Sequence, residues 1–189
     1  IGPSCSGKSS LAHTYTHGQP PVVPPSVTLG VDILTGTHDD GTKTYIWDTA
    51  GGPSRNHVLQ HYLPGSHAIV LVYDATKTQE DQLNDVRSCM SLVAGMTNNM
   101  RSVPMLVVGN KIDMIGKRPL KLPDKLCRYL QTRRIEHRYL TCNDAEAVQD
   151  AFEHVRLSVH RSIPSPLTTS APLPDPGEDD VLCQGCQII

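Results

Sequence analysis

Apolar residues fall into two rhythms along this chain. Ala68 to Asp74 and Val103 to Gly109 are unbroken apolar runs of strand length, the mark of strands covered on both faces. Val31 to Thr37 and Thr42 to Asp48 are strand-like runs around His38-Asp39-Asp40-Gly41, which predicts a hairpin. Ile135 to Leu140 reads as a further short strand. Helical spacing governs Gln79 to about Val93, with Leu83, Val86, Met90 and Val93 on one side. It also governs Asp144 to about His160, where Val148, Phe152, Val155 and Val159 face inward. Shorter helices are predicted from Ser9 to about Thr16 and, after Pro123, from Asp124 to Thr132. Gln19 to Pro25 is too proline-dense for helix or central strand and reads as an irregular loop.

This order predicts an α/β domain over residues 1–162, a mostly parallel six-stranded sheet with helices on both faces. Ile1 stands directly before a glycine loop of the kind that follows a buried strand, so most of the first strand is expected to lie outside this sequence. Residues 163–189 are rich in Pro, Ser, Thr and acids without an apolar period, and predict a flexible tail.

Composition narrows the function. The 189 residues suffice for one core plus a tail, and 38% hydrophobic with 19% charged residues describes a globular chain. A net charge of -2 offers no basic stripe for nucleic acid. No apolar run is long enough to span a bilayer, and no secretory signal is visible. Six scattered cysteines predict free thiols in a reducing compartment. Cys183 and Cys186 could be half a zinc site, but no second Cys or His pair lies near to complete it. His13/His17 and His57/His61 have i,i+4 spacing without a fixed carboxylate partner, and read as solvated histidines.

Chemistry enters at Gly2 to Ser9, GPSCSGKS, a full match to G-x-x-x-x-G-K-[ST]. The glycines let backbone N–H groups turn inward around phosphates, and the following helix adds its positive end. Lys8 is expected on the outer phosphates and the Ser9 hydroxyl on Mg²⁺. Alone, this motif says nucleoside triphosphate without naming the base.

The base is addressed by Asn110 to Asp113, NKID, directly after the buried strand ending at Gly109. A carboxylate at Asp113 can accept from both the N1–H and the exocyclic amine of guanine, a donor pair adenine lacks. Trp47 to Gly51, WDTAG, closes the second hairpin strand. Asp48 suits a water-mediated Mg²⁺ contact, and Gly51 permits close approach of backbone to a γ-phosphate.

GPSCSGKSSL, TLGVDI, IWDTAG, LVYDAT and VGNKID together resemble the Rab family of small GTPases, from Ile1 to about His160. The resemblance implies a P-loop NTPase fold of the small G-domain type. It implies GTP or GDP and Mg²⁺ as ligands, and a conformational switch that recruits effectors in membrane traffic. Gly2, Ser4, Cys5, Ser6, Gly7, Lys8, Ser9 and Ser10 would hold the phosphates, and Asn110, Lys111 and Asp113 the base. Thr28 corresponds to the switch I threonine, completing a Mg²⁺ set with Ser9 and, through water, Asp48. Thr141-Cys142-Asn143 falls where the family has S-A-K, so the Cys142 backbone N–H would meet guanine O6. Lys8, Thr28 and Gly51 are the residues expected to serve hydrolysis. Implied partners are an exchange factor, a GTPase-activating protein, effectors, and a prenyltransferase with its escort protein.

Four departures bear on chemistry. Gly52 stands where the family has the glutamine that orients the attacking water, so unaided hydrolysis is expected to be very slow. Pro53 replaces a usually acidic residue, and the E-R-F pattern of switch II is absent. Cys5 replaces a frequent glycine and adds bulk beside the phosphates. Pro20 and Pro21 stand where an aromatic normally stacks on the base, which should speed nucleotide exchange. The combination predicts a protein mostly bound to GTP unless a partner intervenes.

The last four residues, Cys186-Gln187-Ile188-Ile189, fit C-a-a-X, with Cys186 the lipid acceptor and Cys183 a candidate for a second chain. A terminal Ile leans towards geranylgeranyl without excluding farnesyl. One lipid anchors only marginally. Asp175, Glu178, Asp179 and Asp180 would be repelled by anionic lipid, leaving membrane choice to partners or a second lipid. The implied location is the cytoplasmic face of an intracellular membrane, with a cytosolic pool. Two other readings stand beside the switch: a GTP-binding module that never hydrolyses, favoured by Gly52, and a P-loop ATPase or kinase, disfavoured by NKID.

Overall fold

The computed structural model describes residues 1–52, 55–96, 103–116, 119–162 and 185–188. In chain order these form α1 (Lys8–His17), β1 (Val31–Thr37), β2 (Lys43–Thr49), α2 (Arg55–Tyr62), β3 (Ile69–Asp74), α3 (Gln79–Met96), β4 (Met105–Asn110), α4 (Asp124–Gln131), β5 (Glu136–Tyr139), α5 (Ala145–Ser162) and β6 (Gly185–Ile188). A 3₁₀ turn, Ile112–Met114, follows β4.

The alternation of side chains along β3 explains the two-layered core. Ile69, Leu71 and Tyr73 pack with Leu59 of α2 and Leu63 just past it, with Leu83, Val86, Met90 and Val93 of α3, and with Leu126 and Leu130 of α4. Val70 and Val72 turn the other way, against Leu11 and Tyr15 of α1 and Val148, Phe152, Val155 and Val159 of α5. Both faces of β3 are therefore dry, which is why its sequence is an unbroken apolar run. The α3 start is capped by Thr78, whose hydroxyl accepts from Asp81 N at 3.2 Å.

β3, β4 and β5 form a parallel sheet in that order, with Ile69 opposite Met105 and Leu106 opposite Glu136. β1 and β2 are an antiparallel hairpin with Val31 opposite Thr49 and Thr37 opposite Lys43. Its turn has Gly41 at φ 78 and a bond from His38 N to Thr42 O of 3.0 Å.

The predicted elements recur with shifts of up to three residues at their ends, and two features differ. α2 was not expected. The chain's end, read as flexible, forms β6, which runs parallel to β2 with Lys43 opposite Gly185 and Ile46 opposite Ile188. Ile188 also bridges to Ala68, just before β3, and is fully buried in the α1/α5 layer. The expected single six-stranded sheet is thus two three-stranded sheets joined through that bridge. Ile1 pairs along the same edge of β3, its amine donating to Val70 O at 2.8 Å and its carbonyl accepting from Val72 N at 2.8 Å, while its side chain joins the opposite layer with α3 and α4. The physical reason is local: the β2 edge offers backbone donors and acceptors, and Ile188 fills an apolar place beneath it. Pro53, Cys183 and the tail positions 163–184 lie outside the described residues. Among the described cysteines, Cys5, Cys89, Cys127 and Cys142 are free thiols.

Candidate nucleotide site

β2, β3 and β4 end at Thr49, Asp74 and Asn110, and the loops at this carboxyl edge build the site. The loop from Gly2 leads into α1 at Lys8. Gly7, at φ 89, precedes the helix, and a Cβ there would stand 2.2 Å from Asn110 Nδ2. Only glycine lets Asn110 cross over the loop and donate to Ser6 O at 2.9 Å. Asn110 is 1% exposed, so this bond joins the phosphate loop to the base motif in a dry place. Lys8 Nζ donates to Pro3 O at 2.8 Å, lying across its own loop. Ser6 Oγ donates to the same carbonyl at 3.0 Å.

The predicted metal set converges. Ser9 Oγ is 3.2 Å from Thr28 Oγ1, and Thr28 Oγ1 donates to Asp48 Oδ2 at 3.3 Å. Asp48 is 5% exposed, and its Oδ1 is buried without a hydrogen-bond partner among the described residues. Two hydroxyls and a carboxylate are the hard oxygen donors that Mg²⁺ takes, and a buried, unsatisfied carboxylate oxygen is a place for a cation. The residues fit the ion. Gly51 packs on the phosphate loop so closely that a Cβ would meet Ser4 N at 2.5 Å and Pro3 O at 2.6 Å. A Cβ at Gly52, the next residue, would meet nothing within 4 Å among the described residues.

These groups surround a cavity of about 520 Å³ whose walls include Cys5, Lys8, Thr28, Gly51, Gly52 and Lys111. That is ample for a small ligand. Ser4 and Cys5 are exposed on its rim, Cys5 at φ 59, while Ser9 and Ser10 are half-buried at the start of α1.

The base end lies beyond Lys111, which adopts φ 69 and sends Nζ to Asp74 Oδ2 at 2.7 Å. Burial raises the Asp74 carboxyl, but the Lys111 ammonium and two bonds from Thr76 outweigh it and hold the group below the usual carboxylate range. Asp113 is exposed and accepts from Asn143 Nδ2 at 3.2 Å. Thr141 and Cys142 are half-buried beside it, and Thr14 of α1 donates to Cys142 O at 3.0 Å. Burial, then the Asp113 charge, pushes the Cys142 thiol up. The structure therefore brings the predicted residues into two adjoining groups, phosphate-and-metal and base, stitched together by Asn110. Sequence reading missed Asp74, although its segment LVYDAT was part of the resemblance, and missed Thr14, whose only signal was a polar residue on an inward helix face.

A glycine loop opening a helix, a hydroxyl–carboxylate cluster and a strand-end NKID on a parallel sheet define a nucleotide-binding α/β domain of the P-loop class. The Ras family model matches residues 1–161, and the chain belongs to that family, as a Rab-like small GTPase. It is similar to the GTP-binding protein YPT1 of Saccharomyces cerevisiae, 31% identical over 160 residues, 80% of this chain and 72% of the relative. It is 34% identical to the GTP-binding protein ypt1 of Schizosaccharomyces pombe over 126 residues, 62% of this chain and 57% of that one. Ras-related protein RABD2a of Arabidopsis thaliana is 29% identical over 168 residues, 87% of this chain and 80% of that relative.

Proposed function

We propose that this chain is a guanine-nucleotide switch for membrane traffic, binding GTP or GDP with Mg²⁺ and hydrolysing GTP slowly on its own. The observation that carries the reading is the meeting of Ser9, Thr28 and Asp48 beside the phosphate loop, from three segments far apart in sequence. The names of the relatives, GTP-binding proteins and Ras-related proteins, support it.

In this mechanism Lys8 leaves Pro3 O for the outer phosphates, and the loop N–H groups of Gly2 to Ser9 hold the remainder. Mg²⁺, when bound, neutralises phosphate charge; Ser9 and Thr28 would ligate it, with Asp48 acting through water. Thr28 lies in the long loop before β1, so its engagement orders that loop, and its release after hydrolysis frees it. Val22, Val23, Val27 and Leu29 are exposed on the same loop and offer effectors an apolar surface that changes with the nucleotide. Asp113 reads the guanine edge, and the Cys142 N–H is assigned to O6. An exchange factor, an activating protein and a prenyltransferase with its escort complete the cycle. Cys186, with Cys183 as a second acceptor, would hold the protein on the cytoplasmic face of a membrane. That step requires β6 to leave the sheet, because residue 186 is paired with Thr44.

The test is the nucleotide recovered from the purified full-length protein, followed by competition of GTP against ATP. Recovery of guanine nucleotide and displacement by GTP alone are expected; equal displacement by ATP would end the proposal. A second reading, a module that binds GTP without hydrolysing it, is favoured by the absence of a side chain at Gly52. Phosphate release with and without cell extract separates the two, since only a working switch accelerates.

A further inference from the structure

We infer that Asn143 aligns the Asp113 carboxylate for guanine and so sets how strongly the base is discriminated; this rests on the guanine reading above. Asp113 stands on a single 3₁₀ turn, exposed to solvent, where a short side chain has little to fix its plane. Among the described residues, the hydrogen bond to its carboxylate comes from Asn143 Nδ2, at 3.2 Å from Oδ2.

The backbone beneath that amide is held from several sides. Asp144, the next residue, caps α5 by accepting from Ala147 N at 3.0 Å. Asn143 N donates to Thr141 Oγ1 at 3.3 Å and Asp144 N to Thr141 O at 3.2 Å. Cys142 O accepts from Thr14 at 3.0 Å, and Thr14 is fully buried in α1. Asn143 is therefore a short arm on a fixed base, reaching to an exposed carboxylate.

The chemistry suits the task. Each carboxylate oxygen has two acceptor sites, so Oδ2 can keep the Asn143 bond while accepting from the base. A neutral amide orients the carboxylate without cancelling its charge, leaving the full charge to strengthen the bonds to N1–H and the exocyclic amine. Asn143 is thus a positioning residue whose effect passes through Asp113.

The experiment compares GDP with inosine diphosphate, which lacks the exocyclic amine, on the full-length protein and on Asn143→Ala, Asn143→Asp and Asp113→Ala. Asn143→Asp keeps the shape but sets an acceptor and a charge against Asp113. It should cut the preference for GDP about tenfold, and Asn143→Ala roughly threefold. In the Asp113→Ala background, neither change should alter that ratio further. If the Asn143 variants weaken both nucleotides equally, the residue merely shapes the loop and the inference is wrong. If Asp113→Ala leaves the preference for GDP intact, the guanine reading itself fails and takes this inference with it.

Discussion

Restoring a side chain at Gly52 tests the mechanism most directly. Among the described residues, a Cβ built at Gly52 meets nothing within 4 Å, and the residue borders the cavity shared by Lys8 and Thr28. The first carbon of Gly52→Gln therefore meets no described neighbour, in contrast to Gly51, where Ser4 N would be 2.5 Å away. Misplacing a reacting group by about 1 Å costs on the order of 10²-fold, so a glutamine that orients the attacking water should speed hydrolysis roughly 10- to 100-fold. That corresponds to about 1.4–2.7 kcal/mol of barrier. Replacing a flexible glycine should also stabilise the fold by about 0.4–1 kcal/mol through the unfolded chain, a gain that Gly52→Ala shares. The assay is single-turnover phosphate release from GTP-loaded protein at saturating Mg²⁺. The reasoning is refuted if Gly52→Gln hydrolyses no faster than the parent, or if Gly52→Ala accelerates it as much.

Three other outcomes are expected. Cys5 holds φ 59 at the cavity rim, where a side chain costs about 1–2 kcal/mol, so Cys5→Gly should raise chemical stability by roughly 0.5–1 kcal/mol after its greater unfolded entropy is deducted. Urea melts read this, and lower stability would contradict it. Burial pushes His137, 2.9 Å from the Tyr73 hydroxyl, down to about 4. Between that value and the ordinary 6.5 the unfolded chain binds the extra proton, so stability is complete above 6.5 and falls with pH towards 4. The loss should be about 2–3 kcal/mol, absent in His137→Gln when urea midpoints are compared at several pH values. Ile188→Ala empties a fully buried place under β2 and should cost about 2–5 kcal/mol in the same melts, whereas a cost under about 0.5 kcal/mol would mean that β6 adds little.

The strands were legible where burial on both faces leaves no choice of residue, as in β3 and β4, and the helices where one face must be apolar, as in α3 and α5. α2 escaped because its polar sequence RNHVLQHY carries little periodic signal; Leu59 and, just past the helix, Leu63 were its clue, four residues apart. β6 escaped for a different reason. Its strand state is supplied by the edge of β2, and nothing in four residues after an acidic, proline-rich stretch encodes a partner so distant. In the site, the glycine-loop motif pointed to Ser9, WDTAG to Asp48 and the resemblance of TLGVDI to Thr28, and the structure brings their oxygens together. Motifs could not foresee Lys111 on Asp74 or Asn143 on Asp113, pairings that depend on where two loops come to rest.

Asn110 leaves one more mark on how such a protein would behave. The buried Asn110 amide clasps Ser6 from the end of β4, so the phosphate loop and the base motif are mechanically one piece. In the proposed switch, a disturbance at either lip of the groove therefore carries to the other.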